Sequence, residues 1–217
     1  VGSGNTLAPN QDKKIILWGN QISGQIHLNK LLPNTVDEVS TYWVADRNIT
    51  LPVDSKLTID AGVNVKFAKT NSSLLVTGEL DVLGTEAEPV IFTSTRDDHF
   101  GGDSNNDGSN TSAQRGQWEG IRFYPSYQNK FSEIKNLKVL YAGSDADSSW
   151  NGAVDIRDHN LTLEGLEIAN SGTNGLYISN ASPIITGALI WGNEQQGIYV
   201  TGSAAKPEIT FNKISSN

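Results

Sequence analysis

The chain has 217 residues, a formal charge of -8 at pH 7 and no cysteine, which excludes disulfides and thiolate metal sites. It carries no basic stripe to neutralise phosphates, so nucleic acid is not expected as a partner. No apolar run approaches the roughly 20 residues of a membrane span, so membrane insertion is not expected.

Val1 to Asn10 is rich in Gly, Ser and Asn and is expected to fray. With no methionine and no signal peptide, the chain reads as a mature or excised segment. Ile15-Ile16-Leu17-Trp18 before Gly19-Asn20 reads as a short strand and turn. Residues 1–40 are expected to form an N-terminal segment and an irregular cap, because a stack of repeats needs its open core covered.

From Thr41 the chain turns to short runs in which apolar and polar residues alternate. Tyr42-Trp43-Val44, Leu57-Thr58-Ile59, Val63 to Phe67, Leu80-Asp81-Val82 and Val90-Ile91-Phe92 are examples. A period of two predicts half-buried strands. Gly62, Gly78 and Gly84 fall at the corners, where positive φ is expected. Helix signals are nearly absent.

Two polar insertions interrupt the strands. Residues 97–117 are Gly-rich and too long for a tight corner. Ser144 to Asn151 carries Asp145, Asp147 and Trp150. Long loops on a rigid scaffold are where function collects.

Beyond Gly152 the chain repeats itself. Val154-Asp155-Ile156-Arg157 is echoed by Leu176-Tyr177-Ile178-Ser179 and Ile198-Tyr199-Val200-Thr201, a step of 22 each time (176 less 154, 198 less 176). A second set, Leu163 with Ile168, Ile185 with Ile190 and Ile209 with Ile214, keeps an internal offset of five. No such row buries its apolar face alone. Stacking rows about 4.8 Å apart gives every strand a partner above and below. The Leu-rich pattern of a leucine-rich repeat is missing, and the rows favour Ile, Val and Thr. The expected fold is all-β, a solenoid of parallel strands. In it Val154, Ile156, Leu176, Ile178, Ile198 and Val200 point inward, and Arg122 sits over Asp155.

The run Leu57 to Phe67, Leu75 to Leu80, Gly84-Thr85, Pro89 to Ser94, Gly101 to Gly108, Gly116 to Ile121 and Val139 to Gly143 resembles bacterial secreted or cell-surface right-handed parallel β-helix repeat proteins, the pectate-lyase-like type. The resemblance covers residues 41–217. It implies a single right-handed parallel β-helix with three strands per coil, and an exported, extracellular or surface location. The chain stops in mid-coil at Asn217, so a monomeric module that continues in a larger parent protein is expected.

Asp103-Ser104-Asn105-Asn106-Asp107-Gly108 matches D-x-[DN]-x-[DN]-G, the front of a calcium loop. Oxygens at positions 1, 3 and 5 converge on a hard cation and Gly at 6 permits the turn. Position 12 is Gln114 where an EF-hand has Glu, and no helix flanks the loop. Asp97 and Asp98, with Glu119, are the further oxygen donors considered for a structural calcium. The plainer alternative is a solvated Asx-turn loop.

The column Arg122, Asp155, Tyr177 and Tyr199 is the candidate ligand face. Tyrosines on neighbouring coils would form a flat strip suited to sugar rings, with Trp118, Trp150 and Trp191 adding to it. The alternative is a stack that only stabilises the solenoid. Asp155, Arg157 and His159 alternate on one run and would share a face, a possible catalytic cluster. No paired carboxylates in a hydrolase motif accompany them, and an exposed ion-pair ladder is the plainer account. The leading expectation is a non-catalytic, calcium-stabilised module that binds polysaccharide or cell-surface glycan or mediates adhesion. A polysaccharide lyase or glycoside hydrolase, or an ancillary domain of one, and a spacer without ligand are the alternatives.

Overall fold

The computed structural model describes residues 14–34, 38–45, 47–125, 131–144, 149–159 and 161–217. The expected fraying of Val1 to Asn10, and Asp145 and Asp147 of the second insertion, lie outside the described residues.

Among the described residues the chain forms only short strands, which wind into successive coils. The first coil holds β1 (Lys14–Leu17) and β2 (Gln25–Leu28). The second holds β3 (Thr41–Val44), β4 (Asn48–Leu51) and β5 (Lys56–Asp60), and the third β6 (Asn64–Phe67), β7 (Ser73–Val76) and β8 (Glu79–Leu83). The fourth holds β9 (Val90–Ser94), β10 (Gly120–Phe123) and β11 (Ser132–Lys135), and the fifth β12 (Leu137–Leu140), β13 (Gly152–Arg157) and β14 (Leu161–Glu164). The sixth holds β15 (Glu167–Ala169), β16 (Asn174–Ser179) and β17 (Ile184–Thr186). The seventh holds β18 (Leu189–Trp191), β19 (Ile198–Thr201) and β20 (Glu208–Thr210), and β21 (Lys213–Ser215) opens the eighth.

Each position around the coil builds one parallel sheet. The first strands of the coils make an eight-stranded sheet, the second a six-stranded sheet and the third a seven-stranded sheet. The 22-residue step is the register itself: Val154 pairs with Leu176 and then Ile198, Ile156 with Ile178 and then Val200. The second set behaves likewise, with Leu163, Ile185 and Ile209 in one column and Ile168, Ile190 and Ile214 in another. Val154, Ile156, Leu176 and Ile178 are fully buried, whereas Val200, in the last of these rows, is 43 % exposed.

The coil starts earlier than expected. Within residues 1–40, expected as an N-terminal segment and cap, β1 pairs with β3 and β2 with β5 in register. Among the described residues the first coil is irregular at two places: the bridge Gln21 to Thr50 stands in for a middle strand, and the antiparallel bridge Leu31 to Val39 follows β2.

Corners follow a rule in the lower coils: one residue in the left-handed region turns the chain. Asn136, Gly165, Gly187 and Phe211 occupy one corner column, with φ of 46°, 64°, 65° and 57°. Tyr141, Asn170, Gly192 and Ser216 occupy the next, and Asp158, Asn180 and Gly202 the third. Of the glycines expected at corners, Gly62 has φ of 74°. Gly78 and Gly84 do not have positive φ and are required for another reason. A Cβ at Gly78 would collide with the Pro52 and Ser55 carbonyl oxygens, and one at Gly84 with those of Lys135 and Asn136.

Both insertions leave from the same corner, between the eight- and six-stranded sheets, in adjacent coils. Their ends are knitted together: Gly143 and Ser144 donate to the carbonyls of Glu119 and Trp118, and Gly116 and Gln117 to those of Ala142 and Tyr141. Trp118 plugs this corner. Its ring stacks on Phe67 with centroids 4.0 Å apart and planes 2° from parallel, and its Nε1 donates to the Leu140 carbonyl at 2.8 Å. Trp118→Ala should therefore cost about 3–5 kcal/mol, the range for deleting a buried Trp side chain. Urea unfolding of the two proteins checks it, and a shift well under half of that would show that the corner closes without the indole.

Candidate functional site

The loop after β9 brings part of the expected cation set together. One carboxylate oxygen each from Asp98, Asp103 and Asp107 lie within 4.8 Å of one another. Oδ1 of Asp98, of Asn105 and of Asp107 are buried and accept no hydrogen bond. Asp107 Oδ2 accepts from Asn105 Nδ2 at 2.8 Å and from the Thr111 hydroxyl. Asp103 accepts from the Asp107 and Gly108 amides at 3.2 and 2.8 Å, which closes the expected turn, and Gly108 has φ of 69°. The Asx-turn alternative thus describes Asp103, but it leaves the three Oδ1 atoms without donors.

Burial pushes the Asp98 carboxyl above the usual carboxylate range, and the charge of Asp103 adds to this. Lys66 pulls the other way, while Asp107 and Asp97 raise it further. Carboxylates crowded in this way repel, and a bound cation removes that repulsion.

Asp97 is not in this set. Its carboxylate accepts from the Thr93 hydroxyl at 2.7 Å and the His99 amide at 3.1 Å, so its oxygens are spent on pinning the loop to β9. Glu119 is buried at the far end of the loop, where its amide donates to the Ser72 carbonyl. Sequence reasoning missed Lys66. It stands as an outward residue between Val65 and Phe67, yet it is 0 % exposed because the loop folds over it. Burial holds its ammonium below the usual lysine range, against the pull of Asp97, Asp98 and Asp103.

On the six-stranded sheet the column is as expected, with Arg122 beside Asp155 and Tyr177 beside Tyr199. Its exposure is not. Asp155 is 0 % and Arg122 3 % exposed, so the ion-pair ladder is buried. Arg122 Nε donates to Asp155 Oδ2 at 3.0 Å, and Arg157 Nε and Nη2 donate to Oδ1 and Oδ2, both at 2.8 Å. Nη2 of each arginine also donates to the Ser149 carbonyl, at 2.7 and 2.8 Å, and Arg122 lies 3.9 Å over the Trp150 ring. Ser149 and Trp150, at the end of the second insertion, lie against the pair.

Tyr177 and Tyr199 do not make a flat strip. Their rings are 5.5 Å apart and 4° from parallel, so their faces meet each other, and Arg157 sits 5.6 Å from the Tyr177 ring. The tryptophans do not extend a face either. Trp118 is core, Trp150 covers Arg122, and Trp191 lies on the eight-stranded sheet with its Nε1 donating to Glu167.

The cluster Asp155, Arg157 and His159 does not form. Alternation fails at Asp158, whose φ of 48° turns the chain, and His159 swings to the core. Its ring packs 5.4 Å from Phe123, and Nδ1 donates to the Tyr124 carbonyl at 2.8 Å. That tautomer leaves Nε2 unprotonated, buried and without a partner. Asp155, bound by two guanidinium groups, has no lone pair directed at solvent and is not placed to act as a base.

Two expectations follow. Asp155→Ala would leave two guanidinium groups facing one another in a buried site, and should cost about 3–5 kcal/mol. Arg157→Ala, which removes the more exposed partner, should cost clearly less; equal costs in denaturant titrations would contradict the burial of this pair. Burial also lowers the His159 pKa, with the Tyr124 carbonyl bond opposing it. The folded pKa lies below the unfolded value of about 6.5, so the unfolded chain binds more protons between the two. The resulting stability is complete above the unfolded pKa and is lost as pH falls below it. Comparing urea midpoints at pH 7.5 and 5.5 should show a smaller acid-induced drop in His159→Leu than in the parent chain.

Residues 119–217 match the family model described as the right handed beta helix region, a span that opens at the corner plugged by Trp118. No curated protein and no solved structure matched the chain. The stacked parallel sheets continue above this matched region, two of them through the first coil and the third from the second, and the chain folds as a right-handed parallel β-helix.

Proposed function

We propose that this chain is a non-catalytic β-helix module of a secreted or surface protein, and that it holds one calcium ion in the loop of Asp98, Asp103, Asn105 and Asp107. The observation that carries the reading is the set of three converging carboxylates with three buried, undonated Oδ1 atoms. All the donors are oxygens, the ligand type of a hard cation, and the flexible geometry and high ligand number of calcium suit a loop better than magnesium's strict octahedron. The ion's role is structural. It relieves carboxylate repulsion and fixes the loop beside the corner that Trp118 plugs.

The non-catalytic part rests on the burial of Asp155 between two arginines and on the departure of His159 from that pair to the core. Contact with glycan, or adhesion, narrows to Tyr199, which is 44 % exposed and stacks on Tyr177. A lyase or hydrolase would need residues other than that cluster.

Calcium that binds only the folded chain stabilises it by about 2.7 kcal/mol at a hundred-fold excess over Kd. Calorimetric melts in EGTA and in excess calcium should differ accordingly, and Asp98→Asn and Asp107→Asn should abolish most of the difference. Identical melting temperatures in the two buffers would sink the reading, and if glycan titrations were also silent, the spacer alternative would replace it.

A further inference from the structure

The cation loop is held from beneath by two lysines on the eight-stranded sheet. Lys66 stands between Trp43 and Thr93 in its column, and its ammonium donates to the carbonyls of Asp97 at 2.8 Å and Gly102 at 2.6 Å. Lys14, 4.4 Å over the Trp43 ring, donates to the Ser104 carbonyl at 2.5 Å. The pattern of these bonds is regular. Each carbonyl belongs to the residue just before a side chain of the cation set: 97 before Asp98, 102 before Asp103, 104 before Asn105. A peptide unit is planar, so fixing the direction of a carbonyl fixes where the next residue's Cα stands and narrows where its side chain can reach. The loop's carbonyls are held to the sheet by ammonium groups, and the carboxylates of Asp98, Asp103 and Asp107 converge within the loop held this way.

These are charge-assisted hydrogen bonds, the stronger kind. They are also independent of any ion, because both donors are part of the sheet. The Thr41 hydroxyl adds a weaker tie, donating to the Gly101 carbonyl at 3.4 Å.

We propose that Lys66 and Lys14 are positioning residues that keep the loop assembled on the sheet before an ion arrives, so that the cation meets a preformed set of oxygens. The purpose of the assembly rests on the calcium reading above; the fastening itself does not. The loop is then a standing receptor and not a segment that folds around its ion.

Hydrogen–deuterium exchange over residues 97–110, in EGTA and in calcium, tests this on the parent chain, Lys66→Met and Lys14→Gln. In the parent chain the loop should be protected to a similar degree in both buffers. In Lys66→Met, protection in EGTA should be lost and calcium should restore part of it. Calcium affinity should fall by roughly tenfold or more, the order of one lost hydrogen bond to a charged group. A lysine that merely supported the fold would lower protection equally with and without calcium. Exchange in β13 and β16 reports whether the coil is intact, and Lys14→Gln, at the edge of the sheet, should give the same direction of change if Lys66→Met does not fold. Loss of loop protection in the parent chain on adding EGTA would overturn the proposal, as would variants with unchanged protection and affinity. If the parent chain binds no calcium while Lys66→Met still loses its protection, the calcium reading falls and the fastening stands.

Discussion

A parallel stack cannot return on itself by a hairpin. Each strand must be carried round a full circuit to reach the strand beneath it, and every circuit has to close in the same register. The lower coils meet this constraint with one left-handed residue at each corner, so the columns Asn136, Gly165, Gly187 and Tyr141, Asn170, Gly192 matter as much as the apolar rows. Asn and Gly tolerate that conformation at little cost, whereas Tyr141 and Phe211 adopt it against their steric preference. Once the corners agree, hydrogen bonding between coils and burial of the inward columns follow together.

Charge is used in the same way at two places, to fasten an insertion to the scaffold. Arg122 and Asp155 are neighbours in register, and the arginines reach from the sheet to the Ser149 carbonyl. Lys66 and Lys14 reach from the adjoining sheet to carbonyls of the other insertion. At each place one long basic side chain, Arg122 or Lys66, leaves the outward face of a strand and is buried, and a half-exposed one, Arg157 or Lys14, stands beside it. Taking these groups out of water is costly, and hydrogen bonds to carbonyl or carboxylate oxygens offset that cost.

The solenoid was legible because its spacing is written directly into the chain: the step from Val154 to Leu176 to Ile198 is a vertical distance in the molecule. The cation set was partly legible, since Asp103, Asn105, Asp107 and Gly108 are contiguous, but Asp97 and Asp98 could not be told apart. Alternation alone does not say which of two adjacent carboxylates is captured by Thr93. His159 was misplaced for a related reason, because counting by twos assumes that the strand continues and a left-handed Asp158 ends it. Burial of Lys66 and Asp155 was invisible, as it depends on loops from elsewhere in the coil. The facing rings of Tyr177 and Tyr199 depend on side-chain rotation, which strand register does not determine.

Both long excursions depart from one edge of the prism, at neighbouring levels, while the other two edges stay tight in the lower coils. The chain can therefore lengthen at that edge without altering the pitch anywhere else. Each doubling of such an excursion costs only about 0.6 kcal/mol in closure entropy. This edge is a place where new sequence can be displayed while the rows behind it go on stacking undisturbed.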